Sequence, residues 1–137
     1  MLPFARVIAA LWMGSLWTVC GFVAPTLFAV LDDRRLAGDL AGEFFTLTTW
    51  LGLGLGLLLF LALVRIGNAT RSLWIWIMVT AAAPAASETV LRPFMSAARA
   101  AGNMAAFGTL HAVSAALFLV ACVGSLLVVL QLNRRAG

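Results

Sequence analysis

The chain has 137 residues, 64% hydrophobic and 10% charged, with a mean hydropathy of +1.07. A soluble domain carries about 25% charged residues, so there is no room here for a soluble catalytic domain. The net charge of +4 comes from arginine alone, with no lysine; the arginines flank apolar runs as membrane anchors do, rather than lining one solvent face as nucleic-acid binding requires.

The length allows one domain over residues 1–137, and four membrane spans of about 20 residues each consume most of it. The expected fold is all-α, an integral membrane four-helix bundle. Span one covers residues 4–31, with Pro25 near its far end, where a kink is tolerable. Arg6 ahead of an apolar run resembles the start of a signal peptide. The run 7–30 is nevertheless too long for such a core, and no small-x-small cleavage site closes it, so it reads as a retained span.

The segment after span one carries Asp32, Asp33, Arg34, Arg35, Asp39 and Glu43. Leu36, Leu40 and Phe44 recur every four residues within it, a helical spacing. Both a short interfacial helix and a continuous extension of span two fit that spacing. Residues 97–106 pose the same choice for span four. Span two covers 44–64 and contains Gly52 and Gly56 in a GxxxG, which lets two helix backbones approach closely. Ala37/Ala41 and Gly38/Gly42 extend the small-residue pattern upstream. In a bundle of four helices, internal packing is the preferred use of such a motif over self-association.

A short turn follows, residues 65–71, with Gly67 and Asn68 as turn formers. Span three covers 73–91 with Pro84 inside it, and span four covers 107–132. Arg92, Pro93, Arg99, Gly102 and Asn103 lie between them. Trp74 and Trp76 follow Arg71 at one expected interface and Trp50 lies toward the other, where amphipathic rings are favoured. Trp12 and Trp17 are deeper and read as packing residues.

Arginine placement sets the expected orientation. One side carries Arg6, Arg65, Arg71, Arg134 and Arg135 without an acid. The other carries Arg34, Arg35, Arg92 and Arg99 together with all five acids. The bias of five against four places both termini in the cytoplasm. Arginine and alanine bias is consistent with a GC-rich genome, and the expected location is a bacterial inner membrane.

Ionisable groups at membrane depth are costly and mark candidate sites. Glu88 and Arg92 are spaced i,i+4, a natural ion pair if the helix continues that far, although Pro93 disfavours a helical Arg92. His111 lies one turn inside span four with Ser114 at i+3; Ser87, Thr89 and Asn103 are at similar depth. This suggests a polar cluster on the hairpin of spans three and four, its side chains facing the bundle interior and His111 hydrogen-bonded to span one or three. One reading is structural, with mutual neutralisation of Glu88 and Arg92. The other is a shallow site for a metal ion, a proton or a polar headgroup. His111 is the sole candidate metal or haem ligand, and one histidine with one carboxylate is too few to define a metal site.

Cys20 and Cys122 lie on opposite sides of the bilayer midplane, about 9 Å apart along the normal at 1.5 Å per residue. That separation exceeds disulfide reach, so both are expected as free packing residues. A soft-metal role shared with Met13, Met78, Met95 and Met104 lacks the spacing of a methionine motif. No nucleophile elbow, phosphate-binding loop, paired catalytic carboxylates or CxxC is present.

The stretches LWMGSLWTVCGFVAPTLFAVLDDRRLAGDLAGEFF and FGTLHAVSAAL resemble the small four-span membrane proteins similar to transmembrane protein 205, a domain of unknown function. Gly14, Pro25, Phe28, Ala37, Gly38, Phe44, Phe107, His111 and Ser114 carry the likeness. Family members often place an asparagine shortly after the His-x-x-Ser; this chain has AALFLV there, including Phe118. The resemblance implies a four-helix membrane bundle. It also implies distant kinship with copper-resistance D-type proteins and with a four-span haem-dependent oxidase. Three functions follow as expectations: a non-catalytic scaffold or partner in a membrane complex, with no cofactor; a handler of a metal ion, proton or small amphiphile through Glu88, Arg92, His111 and Ser114; and a haem-binding redox protein.

Overall fold

The computed structural model describes residues 1–67 and 69–134. Asn68, assigned above to the turn, and Arg135, counted in the charge bias, lie outside the described residues. All regular structure among the described residues is helical. Span one comprises α1 (Leu2–Thr18), a π-turn (Val19–Val23) and α2 (Ala24–Val30). Span two is the single helix α3 (Arg34–Ile66). Span three comprises α4 (Arg71–Ala86), a second π-turn (Ser87–Leu91) and α5 (Arg92–Ala100). Span four is α6 (Met104–Arg134).

Side chains cap the helix starts where backbone N–H groups lack partners. The Asp33 carboxylate accepts from the Arg35 and Leu36 N–H groups, Thr70 Oγ1 from Leu73, and Asn103 Oδ1 from Ala106. Gly67 at φ 73° ends α3, and Gly102 at φ 71° turns the chain into α6. That left-handed conformation favours glycine.

All four helices are long and apolar enough to cross a bilayer. Three are longer than hydropathy alone suggested. Span two begins at Arg34 rather than 44, span three reaches Ala100 rather than 91, and span four starts at Met104 rather than 107. The continuous-helix alternative therefore holds for residues 34–43. A helix of 33 residues is about 50 Å long, against a hydrocarbon core of about 30 Å. Arg6, Arg65, Arg71 and Arg134 lie close to the helix ends on the side of the termini. The surplus therefore falls at the opposite end, which carries the acids.

Pro93 does not stop span three: Arg92 is helical, at φ −59° and ψ −44°. The physical reason is the π-turn ahead of it. The Arg92 N–H bonds to Ser87 O, five residues back, and the widened turn relieves the clash of the proline ring with the preceding carbonyls. Pro93 then sits in the first turn of α5, where its missing N–H costs little. Span one repeats the device, with Ala24 N–H bonded to Val19 O just before Pro25. Pro84 sits inside α4 and is buried.

Each span packs on its neighbours in sequence, and span one closes the ring on span four. Gly52 and Gly56 lie against the Trp12 indole, which is 1% exposed. A Cβ on Gly52 would stand 2.7 Å from Trp12 Nε1, and one on Gly56 3.0 Å from Trp12 Cη2. The GxxxG thus serves the inside of the bundle. Gly124 plays the same part on span four, where a Cβ would overlap the Thr80 hydroxyl.

The seam between spans three and four carries polar contacts toward both ends. Gln131 donates to Ser72 at 3.2 Å, and the hydroxyls of Ser87 and Ser114 share a bond of 2.6 Å. Near the middle, Phe45 of α3 meets Phe118 of α6 across the bundle, with ring centroids 4.5 Å apart. Arg6 ties spans one and four together by donating twice to Leu132 O.

Span one packs on span four along α1, whereas α2 packs on span two. The bundle therefore opens between spans one and four at the acid-bearing end. Trp17 is more exposed than a packing residue, yet its Nε1 donates to Cys122 O at 3.1 Å. This bond corrects the expected depth of the cysteines. The pairings Arg6–Leu132 and Trp17–Cys122 fix a register about two residues away from the one drawn from span midpoints. Cys20 and Cys122 both pack against the bundle core, and both are free.

Candidate functional site

The polar cluster forms at the acid-bearing end of the bundle, between spans two and three. Arg92 Nη1 donates to Glu88 Oε2 at 2.8 Å, one helical turn back, and to Thr46 Oγ1 of span two. Arg92 Nη2 reaches Glu43 Oε1 at 3.1 Å. The single hydroxyl hydrogen of Thr46 has Glu88 Oε2 at 2.8 Å as its nearer acceptor and Gly42 O of its own helix at 3.0 Å as the alternative. Further along the same pair of helices, Arg99 Nη1 donates to Asp39 Oδ1 at 2.8 Å.

Asp39, Glu43 and Thr46 face Arg99, Arg92 and Glu88 in antiparallel order. The result is a three-rung zipper between the ends of spans two and three. Glu88 is its most enclosed charge, with a side chain 14% exposed; Arg92 is 39% exposed. Glu88 Oε2 accepts two bonds, and both nitrogens of the Arg92 fork are engaged, so the enclosed Glu88 charge is compensated by Arg92, while the zipper as a whole sets three carboxylates against two guanidinium groups.

The sequence reading located Glu88 and Arg92 and missed Glu43 and Thr46. It assigned the cluster to the hairpin of spans three and four, whereas span two supplies half of it. The available signal was the presence of two acids before span two and two arginines after span three, on segments expected at the same end of the bundle. Ser114 joins Ser87 in the seam, next to the zipper.

His111 departs from expectation. Its ring is exposed, stacks on Phe107 at 5.9 Å and 11°, and makes no side-chain hydrogen bond among the described residues. Arg99 lies over the other end of this ladder, 4.5 Å from the Phe107 centroid, within the range of a cation–π contact. The reason is the opening of the bundle. Phe118, two turns along the same face of α6, is buried against span two, but at the level of His111 span one has moved away. A porphyrin needs its axial ligand inside a slot between helices. A histidine packed flat on a helix surface does not fit that requirement. Among the described residues, no group of three or more His, Cys, Asp or Glu side chains is arranged to hold a metal ion.

Fold and site together define a multi-pass membrane four-helix bundle with an ion-pair zipper at one end. Residues 7–104 match the model of the family described as Domain of unknown function (DUF4149), and the chain belongs to that family. No curated protein and no solved structure matches it. The likeness to transmembrane protein 205 and to copper-resistance D-type proteins rests on the residues quoted above alone.

Proposed function

We propose that the protein is a non-catalytic component of a bacterial inner-membrane complex, a scaffold or partner of another membrane protein, with both termini cytoplasmic. The zipper carries this reading. It pairs Glu88 with Arg92 and Asp39 with Arg99, and it stiffens helix ends that project past the hydrocarbon. Residues 34–43, α5 and the start of α6 thereby form a rigid cap facing away from the cytoplasm. Leu36, Leu40, Phe94 and Met104 are exposed on it, and exposed apolar side chains outside the bilayer are the usual material of protein contacts.

The carrier reading would need Glu88 or Arg92 free to take a ligand, and their bonds to each other and to span two oppose that. Mild detergent extraction followed by co-purification tests the proposal. A defined membrane partner is expected, and Phe94→Asp together with Met104→Asp should release it without unfolding the bundle. A protein solitary under every mild condition, or one whose partner survives both cap substitutions, would contradict the reading.

A further inference from the structure

At the end that carries the termini, spans one and four leave a hollow of about 260 Å³, lined by Arg6, Val7 and Ala10 of α1 and by Val129 and Asn133 of α6. Its wall is apolar apart from one guanidinium and one amide. Arg6 is held in place by donating from Nε and Nη2 to Leu132 O, each at 3.2 Å. A guanidinium has five N–H groups, so three remain for a ligand. None of the ion pairs among the described residues involves Arg6, and all five acidic side chains lie at the other end of the bundle. A second hollow, of about 590 Å³, runs between spans one and two, along Ala10, Leu11, Gly14 and Thr18 of α1 and Leu51 and Leu55 of α3. The two hollows meet at Ala10. The ridge between them is low because Ala10 and Gly14 are small, and nothing stands within 4 Å of where a Gly14 Cβ would be.

We propose that these two hollows form one site for an anionic phospholipid of the leaflet on the side of the termini. Its phosphate sits on Arg6 and Asn133, and one acyl chain crosses Ala10 into the groove between spans one and two. The planar guanidinium fork matches phosphate oxygens. Basic pockets between membrane helices take anionic headgroups, and an end rich in arginine without a carboxylate favours a net negative lipid over a zwitterionic one. The dimensions agree with a membrane lipid. From Arg6 to Thr18 is about 18 Å along the helix at 1.5 Å per residue, close to half of a hydrocarbon core of about 30 Å. A chain anchored at Arg6 therefore follows α1 through one leaflet. The site lies at the opposite end from the zipper and does not rest on the partner reading.

Dioleoylphosphatidylglycerol titrated into the full-length protein in non-ionic detergent is the probe, with bound lipid counted by native mass spectrometry. One molecule per chain is expected to bind about 10-fold or more tighter than dioleoylphosphatidylcholine. Arg6→Gln should weaken phosphatidylglycerol by about 10-fold, the scale of a lost charge-assisted contact, and abolish the preference. Ala10→Phe, on an exposed position, should weaken both lipids by filling the junction. Arg65→Gln, at the same end but lining neither hollow, should change nothing. Equal retention of the two lipids, unchanged binding in Arg6→Gln, or an equal loss in Arg65→Gln would each overturn the site. Displacement by glycerol 3-phosphate would also overturn it, since the ligand would then be a soluble anion. Arg6→Gln also weakens the tie to Leu132 O, so it is the variant more prone to misfold. The comparison of headgroups on the unaltered protein needs no variant, and Ala10→Phe leaves Arg6 in place.

Discussion

Three glycines at first look alike in this sequence and have unlike surroundings. A Cβ on Gly124 would overlap the Thr80 hydroxyl, which hangs on a stiff β-branched side chain. A Cβ on Gly52 would strike the rigid Trp12 ring, while Gly14 has open space around it. Gly124→Ala and Gly52→Ala should therefore each destabilise the bundle by about 1–3 kcal/mol, the usual range for overpacking. Gly14→Ala should be close to neutral. Thermal unfolding in detergent distinguishes them, and equal melting temperatures for all three would refute the packing described.

Thr80 itself carries a fully buried hydroxyl without a hydrogen-bond partner among the described residues. An unsatisfied buried polar atom costs free energy that an apolar group of the same shape does not. Thr80→Val is expected to leave stability unchanged or raise it by about 1 kcal/mol. A clear loss would mean that the hydroxyl has a partner, such as an internal water.

Among the elements, the zipper between α3 and the end of span three is the most exposed to test. Arg92→Ala removes the guanidinium that holds both Glu88 and Glu43. Glu88 then keeps only the Thr46 hydroxyl. The expected loss is about 1–2 kcal/mol, below that of a fully buried pair because Arg92 is partly solvated. Glu88→Gln in the same background should restore most of it, since the uncompensated charge is then gone. A double variant no more stable than Arg92→Ala would show that the pair does not act as one unit. Arg99→Ala, on the more exposed Asp39 rung, should cost less than about 1 kcal/mol.

These elements also show what a sequence can reveal. The four spans were legible because hydropathy reports contact with hydrocarbon. Their ends were not, because helical hydrogen bonding continues through polar residues 34–43 and 92–100 where hydropathy falls. Pro93 misled for a related reason: the rule against a helical Arg92 assumes an ordinary α-turn ahead of it. Within the site, Glu88 and Arg92 were legible from local spacing. Glu43 and Thr46 were not, since their approach depends on the register between two helices. His111 failed on the same ground, as depth along one span does not say which span lies alongside.

For the whole molecule, the proposed orientation gives a direct expectation. Arg65→Cys should react with a membrane-impermeant thiol reagent only from the cytoplasmic side, and Asp32→Cys only from the opposite side. The native cysteines lie at membrane depth, away from such a reagent. Labelling of Asp32→Cys from the cytoplasm would invert the proposed topology and put the cap on the other face.

The overshoot of the helices past the bilayer has a consequence for which membranes suit the protein. A thin bilayer exposes more helix, which the capped and zippered ends tolerate. A thick bilayer draws the zipper inward, and with it Glu43, which is largely exposed, and Asp39. Water that now solvates those carboxylates would be replaced by acyl chains. The penalty per ångström of mismatch is small for apolar helices but rises where charges enter hydrocarbon. The rungs thus act as a depth stop, setting an upper limit on membrane thickness and no comparable lower one. Reconstitution in lipids of increasing chain length should show level stability followed by an abrupt fall. Replacing Asp39 and Arg99 together by leucine should move that fall to longer chains.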